Sequence, residues 1–197
     1  MVPQDIHIHT VYSTGDGAVA PQQKPAFLGS IGHARITGIS DHYEFLTDDK
    51  VLESYFNDLY TNGFYAGTEV NGPDWTDGAS KQPFDYFIYH CYDIEEAYPE
   101  IDTLLNTGKP VIIAHPFMLG TDLSRVPADC YVEINNRYIW RCEWDKLLPP
   151  WKDKFNWICS SDAHKPNQLN QNVVQYVRKV LDIPETMIFK NPYIPTF

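Results

Sequence analysis

The stretch Asp5-Ile6-His7-Ile8-His9-Thr10 gives the first indication of the fold. Polar and apolar residues alternate in it, which is typical of a β-strand. Alternate residues of a strand point to the same side, so His7 and His9 should share a face, about 6–7 Å apart along the strand. Two imidazoles at this spacing can bind one divalent metal ion. The pair alone is weak evidence, because two ordinary histidines near a chain end give the same pattern.

Further apolar segments follow this one, and segments with helical periodicity separate them. The predicted strands cover residues 4–9, 36–40, 64–70, 85–90, 111–114, 131–134 and 157–161. The predicted helices cover residues 22–31, 50–61, 95–106, 139–148 and 168–181, and residues 71–82 are a predicted loop. Strands that alternate with helices predict parallel pairing with right-handed crossovers. The fold class is therefore α/β, either a distorted TIM-like barrel of seven βα units or an open doubly wound sheet.

Residues that can bind metal ions stand at the ends of almost all these strands. They are His7, His9, His42, Glu69, His90, His115, Asp162 and His164. His33 is the one histidine elsewhere, and it is predicted to lie at the surface or to cap a helix. In a parallel barrel all strand ends meet at the C-terminal mouth, whereas an open sheet concentrates its site at one switch point. The pattern therefore favours a distorted (β/α)7 barrel with a metal site at its C-terminal mouth.

The composition limits the partners that the chain can have. Its 197 residues, 43% of them hydrophobic, suffice for one domain over residues 1–197. The 26 acidic and 15 basic residues give a net charge of −11, which argues against general binding to nucleic acid or anionic membranes. The four cysteines form no CxxC pair, and no signal-peptide pattern or membrane-spanning apolar run is visible. These features predict a cytoplasmic protein, and they leave its oligomeric state open.

The chemistry of the strand-end residues indicates which metals would bind. Many imidazoles with a few carboxylates, and no cysteine, suit Zn²⁺, Mn²⁺ or Fe²⁺ better than Mg²⁺ or Ca²⁺. One ion takes about four protein ligands. The set is therefore large enough for two or three ions, provided that a carboxylate bridges them.

The order of these motifs resembles that of the PHP (polymerase and histidinol phosphatase) family over nearly the whole chain. The resemblance rests on His7-Ile8-His9-Thr10 with Ser13 and Asp16-Gly17, Ser40-Asp41-His42, Gly67-Thr68-Glu69, Ala114-His115-Pro116, Glu133-Ile134-Asn135 and Ser161-Asp162-Ala163-His164. It implies a distorted (β/α)7 barrel and a trinuclear metal centre that hydrolyses phosphoesters. It also implies three sets of ligands: His7, His9, Glu69 and Asp162; Glu69, His90 and His115; and His42, His164 and Asp16. Asp16 before Gly17 also suits a simple turn.

Other polar residues near the predicted ligands are expected to support them. Asp5 should share a face with His7 and His9, and Glu133 and Asn135 should share an inward face of their own strand. Each could orient an imidazole or could simply be a buried polar group with its hydrogen bonds satisfied. Asp41 should point to the opposite side of the strand from His42 and is predicted to be structural.

Two cations are predicted to bind substrate. Arg137 follows the sixth strand, and its planar guanidinium can contact two phosphate oxygens. Lys165 comes directly after His164 and offers a point charge. Arg141 lies one helical turn beyond Arg137 and is expected to face solvent.

The sequence therefore predicts a metal-dependent phosphoesterase that hydrolyses a small phosphate monoester with a metal-activated water. Glu69, Asp162 and His164 are its predicted catalytic residues. A 3′–5′ exonuclease, similar to the PHP domains of bacterial polymerases, is the first alternative, and the acidic composition disfavours it. An amidohydrolase acting on C–N bonds is the second alternative, because that superfamily also begins with HxH, but the strand-end lysine or further histidine pattern that it commonly uses is not found. A non-catalytic metal-binding module is the last alternative, and the near-complete ligand set argues against it.

Overall fold

Seven short parallel strands follow one another in chain order around one sheet. The structure is a computed structural model, and it describes residues 1–13 and 15–195. The strands are β1 (Val2–Asp5), β2 (Ala34–Ile39), β3 (Tyr65–Val70), β4 (Tyr86–Tyr89), β5 (Val111–Ile113), β6 (Tyr131–Asn135) and β7 (Asn156–Ser160). The α-helices are α1 (Pro25–Ile31), α2 (Asp49–Thr61), α3 (Thr76–Ser80), α4 (Ala97–Leu105), α5 (Pro116–Leu119), α6 (Trp144–Leu147) and α7 (Asn172–Val180).

The longest helix, α2, shows how the sequence directs an element onto the sheet. The Asp48 side chain caps its first turn by accepting hydrogen bonds from the Lys50 and Val51 amides. Leu52, Tyr55 and Leu59 then recur at helical spacing and are buried. Strands β4 and β5 are buried along their whole length. Such continuous apolar strands are typical of parallel sheets that are covered on both faces.

The first and last strands meet and close the sheet. Ile8 forms an isolated parallel bridge with Ala163, and the His9 amide donates to the Ala163 carbonyl at 3.0 Å. By comparison, β6 and β7 pair over five successive residues. The bridge turns the sheet into a distorted barrel, so the predicted (β/α)7 fold is confirmed and the open sheet is excluded.

Tyr86 anchors the cluster that fills the barrel. Its hydroxyl donates to the carbonyl of Ile6 on the far side, at 2.6 Å, and lies 3.0 Å from the Ile39 carbonyl. Its ring packs against two inward glycines, Gly38 and Gly67. The other buried members of the cluster are Ile6, Ile88, Ile112, Ala114 and Ile158.

The segment after α7 covers the end of the barrel opposite the strand ends. The Gln4 side chain at the start of the sheet donates to the Thr186 carbonyl at 2.6 Å and accepts from the Ile188 amide. The Phe189 ring stacks on Tyr65 with centroids 3.6 Å apart. These contacts leave the C-terminal mouth as the open end of the barrel.

Three predicted elements differ most from the structure. Strand β1 ends at Asp5, so residues 6–9 lie beyond its regular part. The predicted loop 71–82 contains α3, which begins where the Thr76 hydroxyl donates to the Pro73 carbonyl. The predicted helix 139–148 is interrupted, because Cys142 has an extended backbone between a 3-10 turn and α6. In the part of the chain that the structure describes, no helix is long and apolar enough to cross a membrane.

Candidate metal centre

A cavity of about 370 Å³ opens at the C-terminal mouth of the barrel. Its lining consists of Asp16, His42, Glu69, His90, His115, Met118, Leu119, Arg137, Tyr138, Asp162 and His164. Seven of these residues are predicted metal ligands. The other two predicted ligands, His7 and His9, are fully buried and contact the lining from below. The structure therefore brings all nine predicted ligands together.

Glu69 lies at the centre of these side chains. Its side chain is 2% exposed, and the Glu69 amide donates to the Asp41 carbonyl at the end of the neighbouring strand. Oε1 contacts His90 Nε2 and lies 3.2 Å from His7 Nε2. Oε2 lies 3.2 Å from His9 Nε2 and 3.3 Å from His42 Nδ1. A carboxylate with imidazoles at both oxygens has the geometry of a bridge between two metal ions.

Among the described residues, three groups of donor atoms are compact enough to hold an ion each. They are His7, His9 and Glu69; Glu69, His90 and His115; and His9, His42 and His164. The first two agree with the predicted sets, and Asp162 Oδ1 extends the first at 3.5 Å from His9 Nε2. The third group contains His9 in addition to the two predicted histidines. Asp16 Oδ2 also belongs near it, at 2.9 Å from His164 Nε2 and 3.7 Å from His42 Nε2.

The spacing of the imidazole nitrogens fits shared metal ions. The Nε2 atoms of His7 and His9 are 3.2 Å apart, and those of His90 and His115 are 3.1 Å apart. Two imidazole nitrogens on one tetrahedral zinc ion lie about 3.3 Å apart. Among the described residues, moreover, Nδ1 of His9, His42 and His115 is buried without a hydrogen-bond partner. Buried polar nitrogens without partners are rare and costly in folded proteins, and an ion bound at the site is an explanation for them.

Glu133 orients two of the candidate ligands from beneath. Its Oε1 accepts a hydrogen bond from His7 Nδ1 at 2.7 Å, which turns the other nitrogen of that ring towards Glu69. Its Oε2 accepts from the His115 amide at 2.8 Å and from Asn135 Nδ2 at 2.9 Å. These contacts agree with a role for Glu133 and Asn135 in orienting the imidazoles of the centre.

Two other buried carboxylates have structural contacts. Asp41 accepts hydrogen bonds from the Thr10 amide at 2.7 Å and from Ser13 Oγ at 2.6 Å, as expected for a structural residue. The prediction that Asp5 shares a face with the first two histidines is wrong, because the regular strand ends at Asp5. Its carboxylate accepts from the Ser161 amide at 3.0 Å and pairs with His33 Nε2 at 3.0 Å. His33 is accordingly half-buried rather than a surface residue.

Two of the candidate ligands have strained backbones. His115 has a φ of 21° and Asp162 has a φ of 52°. Residues other than glycine rarely adopt a positive φ. Such residues cost about 1–3 kcal/mol each and cluster at functional sites. The hydrogen bond from the His115 amide to Glu133 holds the first of these conformations in place.

The carboxylates of the centre favour their ionised form. Burial alone would raise the pKa of the Glu69 carboxyl, but His90, His7 and His42 together hold that pKa well below its ordinary value. Burial acts in the same sense on Asp162, and His7 and His9 outweigh it, so the pKa of Asp162 is also lowered. Ionised carboxylates are the form that binds metal ions.

The imidazoles divide into two classes. Burial lowers the pKa of His115 and of His164 to about 4 each, and a neighbouring histidine adds to the effect in both cases. Both rings are therefore neutral near pH 7, as ligands must be. Burial would also lower the pKa of His9, but Asp162 and Glu69 outweigh it and raise that pKa to about 9. A metal ion would have to displace the proton that these carboxylates hold on His9.

The predicted substrate-binding cations have different positions. Arg137 lines the cavity, with Nη1 2.9 Å from His164 Nδ1 and 3.5 Å from Asp162 Oδ1. Lys165 is exposed and is not among the described residues that line the cavity, so its role stays a prediction. Tyr138 lines the cavity beside His115, with ring centroids 4.8 Å apart, and was not predicted. An aromatic residue in an irregular segment gives no periodic signal.

No family model and no curated protein matches the chain. Among solved structures, a truncated form of 3-deoxy-D-arabino-heptulosonate 7-phosphate synthase from Thermotoga maritima is similar at 10% sequence identity, with a TM-score of 0.46. The similarity covers 94% of this chain and 89% of that chain. At this level of similarity neither a family nor a function follows for this chain.

The number of donor atoms predicts the metal content. After reconstitution with Mn²⁺, Zn²⁺ or Fe²⁺ and removal of excess ions, the protein should contain at least two ions per chain by elemental analysis. His33→Ala should retain that content, because His33 lies outside the centre, whereas His90→Ala should lose about one ion. A content below one ion per chain would contradict the assignment of the centre.

Proposed function

We propose that the chain is a metal-dependent phosphoesterase of the PHP type that hydrolyses a small phosphate monoester. The observation that supports the proposal most is the position of Glu69, with both oxygens against imidazoles of different ligand groups. Divalent ions bound there would lower the pKa of a coordinated water and neutralise charge on the phosphoryl oxygens. The order of motifs that resembles the PHP family supports the same chemistry.

The residues of the centre would bind two or three ions of Zn²⁺, Mn²⁺ or Fe²⁺. The proposed ligand sets are His7, His9, Glu69 and Asp162; Glu69, His90 and His115; and His42, His164 and Asp16. Glu69 is the proposed bridge, and Asp162 and His164 border the cavity in which the phosphate would bind. Glu133 keeps His7 in the tautomer that can bind a metal ion.

Arg137 is the proposed phosphate-binding residue of the chain. Its guanidinium borders the cavity next to Asp162 and His164, and it is half-buried. A guanidinium can donate to two phosphate oxygens at once. It would therefore orient the phosphoryl group and neutralise part of its charge.

The size and charge of the molecule favour a small substrate. The cavity of about 370 Å³ has room for one phosphorylated metabolite. The net charge of −11 repels a long phosphate backbone, although cations can attract a single phosphate locally. A phosphate monoester therefore agrees with the surroundings of the centre better than a polynucleotide does.

Hydrolysis assays of the reconstituted protein test the proposal. We expect the Mn²⁺-loaded protein to release p-nitrophenol from p-nitrophenyl phosphate, and the chelated protein to be inactive until ions are returned. Single-stranded DNA at matched phosphate concentration should be degraded more slowly. Faster degradation of DNA would favour the exonuclease alternative. A loaded protein that hydrolyses neither compound would contradict the proposal.

The proposed role of Arg137 predicts a defect in kinetics without a defect in metal content. Arg137→Ala should lower kcat/KM for p-nitrophenyl phosphate about 10–100-fold, as expected for the loss of about 1.5–3 kcal/mol from a charged hydrogen bond. The metal content of the variant should equal that of the native protein by elemental analysis. Arg35→Ala, which removes an exposed arginine from β2, is the matched control. Unchanged kinetics in Arg137→Ala would exclude the role.

A further inference from the structure

A second cavity adjoins the metal centre through Arg137. It has a volume of about 380 Å³, and Arg137 lines both cavities. Its lining also contains Trp140, Arg141, Ser161, Gln168 and Asn170. Because Arg137 borders both spaces, a leaving group that extended past it from the metal centre would enter this second cavity.

The second cavity is positively charged, although the protein is acidic. No carboxylate is among the described residues that line it. Within residues 1–13 and 15–195, the Arg141 guanidinium has no carboxylate within ion-pairing distance. The closest acidic residue along the chain, Glu143, is already paired with Lys146 at 2.6 Å. Arg141 is therefore available to a negatively charged group.

Ser161 adds a hydrogen-bond donor that lacks a partner. The residue is 1% exposed and lines the second cavity. Its Oγ is buried, and no described residue forms a hydrogen bond with it. A buried hydroxyl without a partner is costly, and an anionic oxygen would satisfy it.

Trp140 provides a flat surface beside Arg141. Its side chain is 61% exposed, and its Nε1 donates to the Arg137 carbonyl at 2.9 Å, which fixes the orientation of the ring. The Arg141 guanidinium lies 4.9 Å from the centroid of the ring. An exposed tryptophan whose orientation is fixed can stack on a planar or apolar group without loss of side-chain freedom.

We propose that the second cavity binds a second anionic group, a phosphate or a carboxylate, on the leaving group of the substrate. Arg141 supplies the charge, Ser161 supplies a hydrogen bond, and Trp140 contacts the segment between the two anionic groups. This assignment rests on the proposed phosphoesterase function and names its substrate class. The substrate is then a phosphate monoester with two anionic groups.

Three phosphonates that cannot be hydrolysed test the assignment by binding alone. They are phenylphosphonate, 4-phosphonobenzoate and 1,4-phenylenediphosphonate, and each is titrated calorimetrically into the Mn²⁺-loaded protein. We expect at least one of the two compounds with a second anionic group to bind about tenfold or more tightly than phenylphosphonate, as for a hydrogen bond to a charged group. Whichever of these two compounds binds more tightly shows whether the second cavity prefers a carboxylate or a phosphate.

Two variants and a control variant test which residues cause the tighter binding of the compounds with a second anionic group. Arg141→Ala should reduce this preference to less than about threefold, and Ser161→Ala should weaken it. Arg35→Ala removes the same charge from β2 and should preserve it. Equal affinities for all three phosphonates in the native protein, or a preference that persists in full in Arg141→Ala, would overturn the assignment.

The two proposals fail in different ways. A loaded protein that binds the phosphonates with the expected preference but hydrolyses no phosphomonoester would contradict the function and leave the second anion site intact. A protein that hydrolyses p-nitrophenyl phosphate but shows no preference would contradict only the second site.

Discussion

Replacing Glu69 with glutamine should reduce kcat/KM for a phosphomonoester by more than about 1,000-fold, a loss of about 4 kcal/mol of transition-state stabilisation. The two ions of a binuclear site lie about 3.5–4 Å apart, and a bridging carboxylate holds them there. A neutral amide bridges poorly and leaves the charge of the ions uncompensated. The measurement is steady-state kinetics together with elemental analysis, and the metal content should fall as well.

The Glu69→Gln experiment needs a control for the chemical change itself. Glu53 is exposed on α2, and Glu53→Gln removes the same charge far from the mouth of the barrel. This variant should keep native kinetics and metal content. The circular dichroism spectrum of Glu69→Gln should match that of the native protein, because the substitution preserves shape. Activity of Glu69→Gln within tenfold of native would show that Glu69 is not the bridge.

The largest expected effect on stability comes from Gly67→Ala. A Cβ atom at Gly67 would lie 2.3 Å from Cζ of Tyr86, which is far closer than van der Waals contact. The Tyr86 ring cannot withdraw, because it is fully buried and its hydroxyl is hydrogen-bonded to the Ile6 carbonyl. Overpacking of this kind costs about 3 kcal/mol, which we expect to see as a lower free energy of unfolding in urea.

Gly17→Ala is the matched control for that experiment. A Cβ atom at Gly17 would have no described neighbour within 4 Å. Its free energy of unfolding should therefore change by less than about 0.5 kcal/mol. If Gly67→Ala proved as stable as Gly17→Ala, the Tyr86 ring could not occupy the barrel interior as described.

Much of the fold was predictable because each strand is marked locally. The run Val111–Ile113 is apolar and is soon followed by His115, and this pattern recurs along the chain. The alternation rule failed at β1, where it placed Asp5 beside the first two histidines. The regular strand stops at Asp5, and three residues later Ile8 pairs with Ala163 beyond the end of β7. A contact so distant along the chain gives no signal in the local sequence.

The site was predicted less completely than the fold. Its candidate ligands stand at strand ends and were predicted from that position, whereas the second cavity is lined in part by the irregular segment 137–143. A continuous helix would direct Arg141 to solvent, as predicted. In the structure the Trp140 indole bonds to the Arg137 carbonyl, and Cys142 is extended, so that Arg141 lines the second cavity while remaining exposed. Such side-chain contacts decide the path of the backbone and have no periodicity from which to predict them.

The isolated bridge between Ile8 and Ala163 links metal binding to the stability of the barrel. Candidate ligands flank this bridge in both paired segments. His9 follows Ile8, and Asp162 and His164 flank Ala163, so an ion bound by residues of both segments would hold the two segments together. Binding and folding are then thermodynamically linked, and free metal at 1,000 times its dissociation constant adds about 4 kcal/mol to the free energy of unfolding. Selection for tighter metal binding would therefore also select for a more stable barrel.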